Sequence, residues 1–210
     1  MSQMKLRAKV QLKKKGQGAE IPIEGDVHAR LRWNVPKDLD LHAFIRTKPG
    51  QSEVSSGFLG RKKETVNVPS EDIHLFFNSR RKYNNKTGFP WAFLTEDEGI
   101  GDSFGGDTEK DENMFFYGLK EHHEYVLIVA NIYGENGHRF SDYGATVTIL
   151  DMAGSELIDV PLDSDIAGSY AIVAYIDNSG TKPMLYKVDT IQDEKPNFEN
   201  FLSTFKRSLF

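Results

Sequence analysis

Short runs in which every second residue is apolar recur along this chain, broken at close intervals by glycine, proline and asparagine, and that rhythm favours an antiparallel β architecture. Met4, Leu6, Ala8, Val10 and Leu12 share one face of such a run, while Lys5, Arg7, Lys9, Gln11 and Lys13 share the other. After glycines at Gly16 and Gly18, Val27, Ala29, Leu31 and Trp33 repeat the pattern. Successive side chains of a strand point to opposite faces, so each run offers one face to a core and one to water. The lysines of the first run would also keep an edge strand from pairing with another chain.

Further β-like runs are expected over residues 39–45, 64–68, 73–77, 114–117, 124–133, 145–150, 169–176 and 183–188, with Pro36, Pro49 and Pro69 as turn signals between them. Residues 134–137, Gly-Glu-Asn-Gly, read as a hairpin or tight connection. About ten short strands argue for a sandwich or barrel. The tail differs: after Pro196 and a capping Asn197, Phe198, Phe201, Leu202, Phe205 and Leu209 fall at helical spacing. Such an apolar face either docks on its own domain or binds a partner. The expected fold is therefore all-β, a two-sheet β-sandwich with a long acidic loop over 78–113 and a short C-terminal amphipathic helix. One sandwich domain spans 1–190 and the helical tail 191–210.

The 210 residues suit one core, and 39% hydrophobic with 27% charged residues is ordinary for a globular chain. The absence of cysteine removes disulfides, thiolate catalysis and cysteine zinc sites together. No stretch approaches the roughly 20 apolar residues that span a bilayer, and the start of the chain lacks the apolar core of a secretory signal. These features are read as a cytoplasmic protein. A net charge of −5 argues against a nucleic-acid partner.

The charge is concentrated. Between Glu96 and Glu112 eight carboxylates face one lysine, so that segment alone carries −7. It lies within a polar, glycine-rich connection far longer than the usual loop, and long loops tend to carry function or to be disordered. Ahead of it stands Asp38-Leu39-Asp40-Leu41-His42-Ala43-Phe44. In a strand Asp38 and Asp40 would share a face about 6.5 to 7 Å apart while Leu39, Leu41 and Ala43 enter the core. Two like charges so placed are either a solvated face or half of a cation site. The acidic loop offers the other half: hard cations such as calcium take six to eight oxygen ligands, and the glycines around Asp102 and Asp107 let backbone carbonyls join them. Asp107, Glu109 and Asp111 have the spacing that opens a helix-loop-helix calcium loop, but Glu112 and Gly118 stand where that motif needs glycine and glutamate.

Other constellations are weaker. His122 and His123 are adjacent and would point apart in regular structure. Arg80-Arg81-Lys82-Tyr83, followed by Asn84, Asn85 and Lys86, is a solvated loop, a counter-charge for the acidic segment or a contact for an acidic partner. No nucleophile-elbow, phosphate-loop or metalloprotease motif occurs, so the chain is read as non-catalytic.

Leu31-Arg-Trp33, Asp38-Leu-Asp40 with Ala43-Phe44, residues 73–78, Gly101-Asp102, and Gly106-Asp107 through Asp111-Glu112 follow one another as the ordered motifs of TerD-like tellurium-resistance and stress proteins do. Residues 127–133, Phe140-Ser141, 145–150 and 170–175 extend the resemblance over roughly residues 4–190. It implies a β-sandwich that binds calcium at one end through Asp38, Asp40, Asn78, Asp102 and Asp107, with Asp111 and Glu112 as further candidates. The family's Gly-Asp-Gly-Asp-Asp-Glu loop is interrupted here by Thr108, Glu109 and Lys110, so more than one carboxylate can fill each place. Such proteins are linked with tellurite and stress resistance and with phage or colicin defence. The lack of cysteine argues against direct thiol reduction of tellurite. The implied partners are other proteins, recognised through an ion-ordered loop. Alternatively the chain is a structural or adaptor subunit of a membrane-associated stress complex or a viral particle, with metal binding secondary.

Overall fold

The computed structural model describes residues 17–20, 26–35, 37–56, 62–95, 110–133 and 138–208. The expected first strand, residues 4–12, and most of the acidic segment, 96–109, lie outside them. In chain order the first elements are β1 (Gly18–Glu20), β2 (Val27–Trp33), β3 (Leu39–Thr47), β4 (Gly50–Ser56), β5 (Lys62–Val68) and β6 (Asp72–Leu75). A 3-10 turn at Phe77–Ser79, α1 (Arg80–Tyr83), β7 (Ala92–Leu94), β8 (Lys110–Phe116), α2 (Leu119–His122) and β9 (His123–Ile132) follow. A second 3-10 turn at Phe140–Tyr143 leads to β10 (Ala145–Asp151), β11 (Glu156–Leu162), β12 (Tyr170–Asp177), β13 (Met184–Gln192) and α3 (Phe198–Ser208).

Two antiparallel sheets form a sandwich. One has the order β1-β13-β12-β9-β3-β6 and the other β11-β10-β2-β8-β7, while β4 and β5 pair only with each other among the described residues. The alternation read from the sequence is the packing rule. In β2 the residues Val27, Ala29, Leu31 and Trp33 are buried, and in β3 Leu39, Leu41, Ala43 and Ile45 meet them from the opposite sheet in one apolar cluster. At about 25 cal/mol per Å² of apolar surface removed from water, these paired inner faces are the main source of stability.

The apolar run of β9 has a different cause. Val126, Leu127, Ile128, Val129 and Ala130 are all buried, because β9 lies centrally with the sandwich core on one face and α3 on the other. Phe44, Leu127, Val129, Ile172, Tyr175 and Val188 form a second cluster on that outer face, closed by Phe198, with Phe201 and Leu202 packed against it. The side-chain oxygen of Asn197 accepts the Asn200 amide at 3.1 Å and caps the helix. The apolar face of the tail thus meets this chain's own sheet at Phe198, Phe201 and Leu202. The Phe205 side chain and Leu209 lie outside the described residues.

Arg46 ties the helix start to the sheet. Its guanidinium donates to both oxygens of Asp72 at 2.7 and 2.8 Å and to Glu199 at 2.5 Å. Glu199 is 72% exposed, so solvent screens this contact. Glu199→Gln is expected to lower stability by less than about 1 kcal/mol in urea unfolding, since α3 is held by its aromatic face. A larger loss would mean that the ion pair, not the packing, seats the helix.

Two expectations change. The strands that flank residues 134–137, β9 and β10, belong to opposite sheets, so of the hairpin or tight connection expected there the hairpin is excluded; residues 134–137 themselves lie outside the described residues. The chain crosses between sheets through the turn at Phe140–Tyr143, whose Phe140 and Tyr143 are buried at the crossover, and Gly144 ends the turn at φ 57°. The described parts of the 78–113 connection are also more regular than its polarity indicates. Residues 77–95 carry a 3-10 turn, α1 and β7, and residues 110–113 already belong to β8. Asn84 explains part of the difference: its amide donates to the Leu94 carbonyl at 2.6 Å and accepts the Leu94 amide at 2.8 Å, replacing a strand partner with a side chain.

Candidate metal centre

The starts of β3 and β8 meet at one end of the sandwich, and each brings carboxylates. The turn that delivers β3 is fixed by Trp33, whose indole donates to the Lys37 carbonyl at 2.8 Å, and by the Tyr133 amide, which donates to the Asp38 carbonyl at 3.4 Å. Asp38 is half-buried just before the strand. Asp40 lies on the outward face of β3, 7% exposed, directly opposite Asn131 of β9. Asn131 donates in turn to the Ser169 carbonyl at 2.8 Å. The Asp40 carboxylate also acts on Tyr170, whose hydroxyl is pushed above its usual range first by burial and then by that charge.

β6 pairs with β3 only as far as Ala43, opposite Leu75, and then turns away. On that edge the Leu41 amide therefore has no strand neighbour from β6. Glu112 supplies the acceptor: its Oε2 takes the Leu41 amide at 2.5 Å. Glu112 belongs to the other sheet and is 1% exposed. It reaches β3 because β8 alternates strictly, turning Lys110, Glu112, Met114 and Phe116 inward. Two residues of opposite charge, Lys110 and Glu112, thus occupy inward positions at the rim, and Glu112 bridges the two sheets one residue from Asp40.

The candidate residues separate accordingly. Glu112 and the Asp38/Asp40 strand are brought together. Asp111 is turned to the outer face of the five-stranded sheet, opposite Arg32. Asn78 is exposed in the turn that follows β6. Asp102 and Asp107 lie outside the described residues. All of these donors are oxygens, which suits a hard cation better than a soft one. Among the described residues no three His, Asp or Glu side chains are gathered as a metal ion requires. The described part of the rim is therefore an incomplete cage, one that an ion can use only together with further oxygens.

Sequence reading missed the inward phase of Glu112 and the outward pair His42 and His74. The first was recoverable: extending the Met114 and Phe116 alternation backward by two steps places Glu112 and Lys110 in the core. The second needed the β3–β6 register.

No helix among the described residues is long and apolar enough to cross a membrane. No family model and no curated protein sequence matches this chain. Among solved structures it is similar to a crystal structure of SAV2460, a protein of unknown function, at 18% identity and a TM-score of 0.45, over 84% of this chain and 94% of that one.

Proposed function

We propose that this is a calcium-binding, non-catalytic protein of the TerD-like stress and tellurium-resistance kind, acting in the cytoplasm through an ion-ordered surface that other proteins recognise. The observation that carries the reading is the Leu41–Glu112 contact, which joins the strand of Asp38 and Asp40 to the strand that ends the acidic segment. Carboxylates brought to one rim repel one another unless a cation, a basic neighbour or water compensates. A calcium ion held by Asp38 and Asp40, with Asp102, Asp107 and Asn78 as the donors the resemblance assigns, would remove that repulsion. Glu112 would anchor the strand end, its Oε2 already engaged, while Asp111 faces away from Asp40. The bound ion would supply electrostatic cross-linking only.

Binding to the folded state alone stabilises it, by about 2 kcal/mol at about thirty times the dissociation constant. Chelator-stripped protein is therefore expected to melt several degrees higher in millimolar calcium. An Asp38→Asn/Asp40→Asn variant is expected to melt at the same temperature with and without the ion. Equal melting of the wild-type protein with and without calcium would defeat the reading.

A second reading, a structural or adaptor subunit of a larger assembly, is favoured by the β4–β5 hairpin. It joins neither sheet among the described residues, and an isolated two-stranded ribbon is marginal in water. Size-exclusion chromatography of the full chain across a concentration series distinguishes the two. A monomer throughout disfavours self-assembly through that arm.

A further inference from the structure

The calcium reading leaves unused the outer face of the five-stranded sheet, where β7, β8 and β2 lie side by side. Strict alternation in β2 turns His28, Arg30 and Arg32 to that face, and the register sets Arg30 opposite Asn113 of β8 and Thr148 of β10. Both neighbours are neutral and both are engaged elsewhere. Asn113 Oδ1 meets His28 Nε2 at 2.7 Å, and the Thr148 hydroxyl donates to Asp159 at 2.9 Å. Arg32 stands opposite Asp111, whereas Arg30 stands directly opposite no carboxylate. The Arg30 Nε is buried and meets no hydrogen-bond partner. A buried guanidinium donor left open costs free energy and calls for an acceptor.

Two further cations are held beside the β7 edge of the same face. Phe93 turns outward between the buried Ala92 and Leu94, and the Lys86 ammonium lies 4.3 Å from the centre of its ring. Arg80 donates to the Thr95 carbonyl at 3.2 Å and packs 4.6 Å from the Phe77 ring. The Thr95 amide donates to the Asn113 carbonyl at 2.9 Å, so Arg80 stands at the end of a row that runs from Thr95 through Asn113 to Arg30. Lys86 stands at the end of the next row, Phe93, Phe115 and His28. The segment that carries both cations is fixed by the Asn84 clamp on Leu94 and by Asn85, whose Oδ1 accepts the Thr87 and Gly88 amides at 3.2 and 3.0 Å. None of Arg30, Arg80 and Lys86 forms an ion pair among the described residues. Positive charge is thus gathered on a scaffold that is already ordered, which lowers the cost of binding.

We propose that this face binds an acidic, extended segment of a partner protein, its carboxylates taken by Arg30 within the sheet and by Arg80 and Lys86 at the edge. A guanidinium offers paired N–H donors in the fork geometry that a carboxylate accepts. Single-stranded nucleic acid fits the face less well. Its bases need free ring faces, whereas Phe115 is stacked by His28 at 4.3 Å and Phe93 is covered by Lys86. The amides that would read base edges, Asn84, Asn85 and Asn113, are spent on partners within the chain. A net charge of −5 also repels a phosphate backbone.

The test is fluorescence anisotropy of a labelled oligoglutamate peptide titrated with the full-length protein at low and at physiological salt, with an oligothymidylate of equal charge alongside. The peptide is expected to bind saturably in the micromolar range at low salt and more weakly as salt screens the contact. Arg30→Gln is expected to weaken binding by about fivefold or more, and the double change Arg80→Gln/Lys86→Gln by at least as much. Lys195→Gln removes an exposed cation beside Phe44, on the outer face of the other sheet, and is expected to leave binding within about twofold. Far-ultraviolet circular dichroism and melting establish that each variant is folded. A loss with Lys195→Gln equal to that with Arg30→Gln would mean that net charge alone attracts the peptide, and would overturn the proposal. No peptide binding at low salt, or tighter binding of the oligothymidylate, would overturn it equally. None of these variants touches a calcium donor, so the result stands whatever a calcium titration shows.

Discussion

Lowering the pH from about 6.5 to about 4 is expected to remove roughly 3 kcal/mol of stability through one side chain, His123. His123 is 0% exposed at the start of β9, with Nε2 donating to the Pro90 carbonyl at 2.8 Å. Its Nδ1 is buried without a partner, so a second proton would enter a site that cannot solvate it. Burial, helped by the nearby charges of His122 and Lys48, holds the ring down to about 4 against 6.5 in an open chain. A folded value below the unfolded one means that the unfolded state takes the proton first. The contribution is complete above pH 6.5 and is lost as pH falls toward 4, at about 1.4 kcal/mol per pH unit.

His123→Gln keeps an amide donor for Pro90 and cannot titrate. Urea unfolding of both proteins at several pH values should show the wild-type protein losing stability below pH 6.5 more steeply, by roughly one proton per molecule. Carboxylates add their own acid sensitivity to both proteins, which the comparison cancels. Parallel profiles would mean that His123 is solvated or protonated in the native state.

Replacing Glu112 by alanine is the second large effect expected, a loss of roughly 3 kcal/mol. The carboxylate is 1% exposed and accepts the Leu41 amide, so truncation strands a buried donor and opens a cavity at the sheet-to-sheet contact. For a chain of this size the melting temperature should fall by about 6 to 12 °C. Glu112→Gln retains the oxygen that meets Leu41 and should lose less than half as much. Equal and small losses for both variants would show that the contact is incidental.

The contrast between β2 and β9 explains how much of the fold is legible in the residues. Val27, Ala29, Leu31 and Trp33 alternate because their strand is buried on one face, and period two is then unambiguous. The β9 run is apolar at every step, which identifies a strand but says nothing of what covers each side; the covering helix α3 is written at the far end of the chain. β11 alternates too, but Pro161 and its acidic outward residues resemble a loop. β4, which no expected run covers, pairs only with β5 among the described residues.

The candidate site divides in the same way. Asp38 and Asp40 stand out because two like charges flank a core residue, Leu39, at the start of β3. Glu112 is concealed by its surroundings, since an acidic residue at the end of a run of acidic residues reads as solvated until the phase of β8 turns it inward. His42 and His74, 32 residues apart, meet only through the β3–β6 register, which no local pattern specifies.

Calorimetric titration of calcium into chelator-stripped wild-type protein, beside the Asp38→Asn/Asp40→Asn variant, tests the central claim most directly. The account predicts saturable binding in the wild-type protein and its loss in a variant that remains folded. No binding heat with millimolar calcium in the wild-type protein, or equal binding in both proteins, would contradict it and leave these carboxylates balanced by their neighbours in the chain.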